Sequence, residues 1–194
     1  MKLFLASQSP RRRELLKLAG FEFEILTAEF VETIDPKTNV YTVPEILARR
    51  KADAVFRQCE LKKDAVVLCA DTLVIFNEKI FGKPASESDA LMMLESLSGR
   101  QHIVITGVCI RSFDKEISFS DSAKVFFRTL EAEELLFYIR NHNPFDKAGS
   151  YGIQDWLGVR IVEKVEGDYF NVMGLPVRKV AEALKQFGIT AMNQ

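Results

Sequence analysis

The chain has 194 residues, enough for one substantial hydrophobic core, so length alone predicts a single domain or two closely joined lobes. A formal net charge of −1 argues against a general nucleic-acid or membrane-surface binder, since those classes carry a clear basic excess. Cys59, Cys69 and Cys109 form no CxxC pair, residues 1–20 lack a signal-peptide core, and no apolar run approaches the roughly 18 residues that span a bilayer, which points to a soluble protein of the reducing cytoplasm.

Lys2 to Ala6 reads as a short buried strand, with Ser9 as an N-cap and Pro10 as the first helical residue, where its missing N–H costs nothing. Gly20 sits where that helix ends. Acidic side chains are expected at a helix start, which presents about half a positive charge, yet this one carries Arg11, Arg12 and Arg13. Two readings stand: a solvated basic turn, or a seat for an anion that supplies the missing negative charge.

The run FEFEIL then alternates Phe21, Phe23 and Ile25 against acids, the period of a half-buried strand. A polar loop with Glu29 and Glu32 leads to Thr42, a candidate N-cap for a helix beginning at Pro44 with Ile46, Leu47, Ala52, Val55 and Phe56 on its apolar face. Arg49, Arg50 and Lys51 fall on its middle turns, either as its wet face or with one of them directed at the first anion site. Ala65 to Ala70 is a continuous apolar strand, and it leaves Asp71 and Thr72 at its C-terminal edge. Ligands collect there in open α/β sheets, so Asp71 is a catalytic candidate as much as a turn cap.

Leu73 to Phe76 continues as strand, Asn77 and Glu78 turn, and Lys79 to Phe81 returns. Lys83 follows in a Gly-Lys-Pro turn without P-loop context, a weak phosphate signal. Ser86 and Asp89 form a capping box ahead of a helix with Ala90, Leu91, Met93, Leu94 and Leu97 inward, and Met92 with Met93 reads as core filler. Residues 101–112 and 115–127 make a long antiparallel hairpin, followed by a helix over 131–141. Phe145 to Asp155 breaks every period and reads as a ligand loop or a structural turn. Gly158 to Val165 returns to strand alternation, and Pro176 to Phe187 is a final amphipathic helix capped by Gly188. His102 and His142 have no spaced partner and are read as structural or solvent residues.

In this order, and over almost the whole chain, LASQSPRRRELL, CADTLVIFNEKIFGKP, LESLSG, DKAGSYGIQ and GLPV resemble the Maf family of nucleotide pyrophosphatases. The resemblance implies an α/β fold, an elongated mixed sheet flanked by helices with two lobes around a central cleft as in the inosine-triphosphate pyrophosphatases, so that residues 1–194 form one Maf-like domain. It also implies hydrolysis of nucleoside triphosphates to the monophosphate and pyrophosphate with a divalent cation, Mg²⁺ or Mn²⁺. Arg11, Thr72 and Gln154 match the branch acting on dTTP and UTP, where the branch acting on 7-methyl-GTP has Trp, Gln and Glu.

By the same resemblance Asp71 is the proton acceptor, Ser7, Ser9, Arg12, Lys51 and Lys83 bind phosphate, and Glu32 shares the metal with Asp71. Gln154 can offer both a donor and an acceptor to the O4 and N3–H edge of uracil or thymine. Two departures from the family pattern are Val31-Glu32, where Asp-Glu is usual, and Arg50-Lys51-Ala52 in place of Arg-Glu-Lys-Ala. The family also implies an alternative, a non-catalytic nucleotide-binding regulator of septum formation and cell division. An isologous homodimer is the common oligomer of soluble enzymes, although no interface patch is legible here.

Overall fold

The computed structural model describes residues 1–30 and 32–191; the Val31 departure lies outside the described residues. In chain order the elements are β1 (Lys2–Leu5), α1 (Pro10–Leu18), β2 (Glu24–Ile25), α2 (Val43–Gln58), β3 (Ala65–Phe76), β4 (Lys79–Phe81), α3 (Glu87–Leu97), β5 (Gln101–Arg111) and β6 (Glu116–Phe127). They continue with α4 (Ala132–His142), two 3₁₀ turns (Pro144–Asp146 and Ala148–Ser150), α5 (Gly158–Ile161), β7 (Val162–Glu166), α6 (Tyr169–Met173) and α7 (Val177–Lys185). Helices flank a seven-stranded mixed sheet of order β2-β1-β3-β5-β6-β7, with β4 paired to β3. This is the α/β class that the resemblance implies. No helix among the described residues is long and apolar enough to cross a membrane.

The described residues form two compact units: one holds those of Met1–Asp71, Thr106–Asp121 and 174–191, the other Thr72–Ile105 and Ser122–Met173. In the first, Ala48, Ala52 and Val55 of α2 pack on Val67 and Cys69 of β3 and Cys109 of β5. These small helix residues let α2 lie close to the sheet. Burial pushes the Cys69 thiol well up and that of Cys109 to about 12, so both stay protonated, and the cysteines are unpaired. The core of the second unit joins Leu94 and Leu97 of α3, Val125 and Phe127 of β6, and Leu135, Tyr138 and Ile139 of α4.

Local signals set many boundaries. Ser9 caps α1, and beyond Ala19 the N–H of Gly20 (φ 79°) reaches the Lys17 carbonyl at 2.9 Å while Phe21 N–H reaches that of Leu16 at 3.2 Å, a Schellman ending that buries Phe21. The β3–β4 hairpin turns at Asn77 and Glu78 with φ of 49° and 60°, the sense that matches strand twist. Ser86 Oγ accepts from Asp89 N–H at 3.2 Å and caps α3.

Several expectations need correction. FEFEIL yields only the two-residue β2, since it pairs with β1 alone at the end of the strand order, and Ile25 is exposed. Asp71 does not terminate its strand: β3 runs twelve residues without a break, because β4 pairs with its far half at Val74–Phe76. The carboxylate nevertheless lies past the carboxyl end of a strand, that of neighbouring β1, whose Leu5 pairs with Leu68. Gly158–Ile161 is a helical turn and only Val162–Glu166 is strand, α6 had no sequence signal, and Met92 points to solvent instead of filling the core.

Candidate active site

In the first unit the turn between β1 and α1 is wound around Arg12. Ser7 Oγ accepts from the Ser9 N–H at 3.2 Å, and Ser9 Oγ accepts from the Arg12 N–H at 3.5 Å. The Arg12 guanidinium donates from Nε to the Gly174 carbonyl at 2.8 Å and from Nη1 to the Ala70 carbonyl at 2.8 Å and Ser7 Oγ at 3.4 Å. One side chain thus fastens the start of α1 to the residue before Asp71 and to the segment ahead of α7. Desolvation lowers its pKa from the ordinary guanidinium value, and the charge of Asp71 opposes that shift. Arg11 is half-buried on the same first turn.

Asp71 is 7% exposed and forms an ion pair with Lys51 of α2. The Lys51 ammonium also lies 3.5 Å from Glu32 Oε1 and 5.1 Å from the centre of the Phe30 ring. Three segments therefore converge on one cation: the loop before α2, the middle of α2, and β3. Arg50 donates to the Thr33 carbonyl and holds that loop against the helix, whereas Arg49 pairs with Glu116 at 3.0 Å on the exposed side. Of the three cations on the middle turns, Lys51 alone faces Asp71, and the register of α2 on the sheet decides it.

The same convergence bears on metal binding. Among the described residues no group of three or more His, Cys, Asp or Glu could hold an ion. The carboxylates of Asp71 and Glu32 nonetheless meet at one positive charge, so a cation is already accommodated between them. An oxygen pair of this kind fits Mg²⁺ or Mn²⁺, which takes one or two carboxylates and completes its shell with water and phosphate oxygens.

The second unit carries Thr72, Lys83 and Gln154. Thr72 is half-buried on β3, and Lys83 is exposed beside Gly82. The loop over 145–155 is linked to that turn, since Gly149 N–H donates to the Gly82 carbonyl at 3.0 Å. Gly149 has φ of 67°, and a Cβ there would meet the Val74 side chain at 3.0 Å. Tyr151 anchors the loop below: its hydroxyl lies 2.6 Å from His102 Nε2, and both rings stand edge to face with Phe127. His102 is thus the structural residue of the two readings.

Lys147 closes the loop at both ends, with Asp146 Oδ1 at 2.6 Å and Asp155 Oδ2 at 3.3 Å. Asp155 folds over Gly152, where any Cβ would come within 2.6 Å of its carboxylate. Gln154 sits beside this clasp with a buried Oε1 that has no hydrogen-bond partner among the described residues. A buried amide oxygen left open is the type of acceptor that a ligand N–H fills. Lys147, Phe30 and the Tyr151–His102 pair were not singled out from the sequence. Lysine in a polar loop reads as solvated, and only its burial between two carboxylates marks it.

A model of the Maf-like protein family matches residues 2–187. Relatives named dTTP/UTP pyrophosphatase include one from Thermosipho africanus, 49% identical over 97% of this chain and 95% of its own. One from Aquifex aeolicus is 43% identical over 98% of each chain, and one from Bacillus cereus is 46% identical over 97% of this chain and 96% of its own.

Proposed function

The chain belongs to the Maf family, and we propose that it is a nucleoside triphosphate pyrophosphatase that hydrolyses dTTP and UTP to the monophosphate and pyrophosphate. The observation that carries this reading is identity of 43 to 49% with dTTP/UTP pyrophosphatases across at least 95% of both chains. The buried Asp71 beside Lys51 supports it, because hydrolysis of a phosphoanhydride needs a base and a cation at the same place.

In this reading Asp71 takes the proton of the water that attacks the α-phosphorus. The ammonium of Lys51, the N–H groups opening α1, the hydroxyls of Ser7 and Ser9, and the cations of Arg12 and Lys83 hold the polyphosphate. Arg12 also braces the Ser7–Pro10 turn, since its Nε and Nη1 donate to the Gly174 and Ala70 carbonyls. Gln154 accepts the N3–H of uracil or thymine at its open Oε1, and Arg11 and Thr72 share in base selection. Asp71 and Glu32 would hold Mg²⁺ or Mn²⁺, which would supply charge neutralisation at the phosphates and Lewis acidity. The cytoplasm, which holds the nucleotide pool, is the compartment such an activity requires.

The test is a panel of dTTP, UTP, CTP and GTP incubated with the purified chain and Mg²⁺ and scored for both pyrophosphate and orthophosphate. Pyrophosphate from dTTP and UTP is expected. Orthophosphate alone would make the chain a phosphatase, and nucleotide binding without turnover would make it the regulator; either result refutes the proposal.

A further inference from the structure

Lys51 stands where two carboxylates converge. Its ammonium contacts Asp71 and lies 3.5 Å from Glu32, the two carboxylates assigned above to the metal, and the lysine side chain is only 18% exposed. Asp71 is nearly sequestered from water, where a carboxylate needs counter-charge; the buried Arg12 guanidinium feels its charge, and Lys51 is the cation in contact with it. Glu32, with a side chain 58% exposed, has no such need. Lysine suits a temporary partner, because its charge is compact and its four-carbon stem is flexible, whereas an arginine fork would lock in place.

We infer that Lys51 is a resident counter-ion that holds the Asp71–Glu32 pair together and yields it to the divalent cation. Both cations seek the same carboxylate oxygens and repel one another at contact distance, so they compete. An arriving triphosphate offers the displaced ammonium new anionic oxygens. Metal and nucleotide binding are thereby coupled through one side chain, and by linkage each favours the other. Phe30 gives the ammonium a cation–π contact at 5.1 Å. This inference rests on the metal assignment in the proposed function.

The experiment titrates the full-length chain with Mn²⁺ alone, without nucleotide, and reads free Mn²⁺ by electron paramagnetic resonance. Lys51→Met should bind Mn²⁺ more tightly than the unmodified chain, on the order of tenfold, because the competitor is gone. Lys51→Gln, which keeps a polar head without the charge, should behave alike and covers a folding failure of the methionine variant. Adding Glu32→Gln to either should return most of the gain. Affinity in Lys51→Met and Lys51→Gln that equals or falls below that of the unmodified chain overturns the exchange. Pyrophosphate release from UTP by the unmodified chain, measured in parallel, separates this from failure of the broader reading: release together with unchanged Mn²⁺ affinity in the variants defeats the exchange alone.

Discussion

Gly107 of β5 tests the link between packing and chemistry most directly. A Cβ built there would lie 2.1 Å from the Glu45 nitrogen, 2.2 Å from the Pro44 carbonyl carbon and 2.4 Å from its oxygen. These are backbone atoms in the first turn of α2, so no rotamer change relieves them. Against an ordinary separation of about 3.5 Å, Gly107→Ala must push α2 away by roughly 1 Å or more. The helix has no slack, since Val43, Pro44, Leu47, Ala48, Ala52, Ala54 and Val55 are all buried. Overpacking of this kind costs about 3 kcal/mol, the upper end of the usual range. Lys51 is roughly 9 Å further along the same helix axis, so the shift also carries its ammonium off Asp71. Urea unfolding of Gly107→Ala should show an unfolding free energy lowered by that amount, read as a midpoint shifted down by about 1–3 M with an unchanged slope of about 1–3 kcal/mol/M, and kcat/KM for UTP should fall by about tenfold or more. Gly82→Ala is the control, because nothing lies within 4 Å of its new Cβ. A Gly107→Ala protein with the midpoint and turnover of the unmodified chain would refute the reasoning.

Three further variants address the site and its supports. Asp71→Asn should lower pyrophosphate release from UTP by about two orders of magnitude or more, and near-normal release would remove Asp71 as proton acceptor. Burial holds the His102 pKa down at about 3 against an ordinary 6.5, so the folded protein keeps the ring neutral while the unfolded chain takes up a proton. Its contribution is complete above the ordinary value and is lost as pH falls toward the depressed one, at about 1.4 kcal/mol per pH unit. His102→Gln should flatten the stability profile between about pH 6 and about pH 4 by that slope, and an identical profile would contradict a buried neutral ring. Lys147→Met unclasps the loop beside Gln154; KM for UTP should rise several-fold while kcat is retained, with about 1–2 kcal/mol of stability lost, and an unmoved KM would detach the clasp from substrate binding.

What the sequence disclosed was what neighbouring residues decide. Ser9 with Pro10, the capping box at Ser86 and the turn at Asn77-Glu78 act within a few residues, and each marks a boundary of the fold. The candidate site residues were named through family resemblance, and which of them meet in the fold was only partly legible. Arg49, Arg50 and Lys51 are consecutive cations, and nothing local says which one turns inward; the seating of small α2 residues on β3 and β5 settles that. The unbroken course of β3 past Asp71 depends on β4 returning to pair with it. Gly158–Ile161 alternates as a strand would, yet winds into a turn once Ile161 and Leu157 are drawn into the core. Lys147 is the clearest omission, because its burial comes from loop closure instead of composition.

The two ends of the strand order have a consequence for association. At one, β2 offers just two residues, both exposed, and Glu24 is tied to Lys2 at 2.6 Å. At the other, Lys164 and Glu166 of β7 are paired at 2.7 Å and Glu163 is exposed. Short, charge-studded borders make poor templates for a foreign strand. Self-recruitment by sheet extension is thereby discouraged at these two borders.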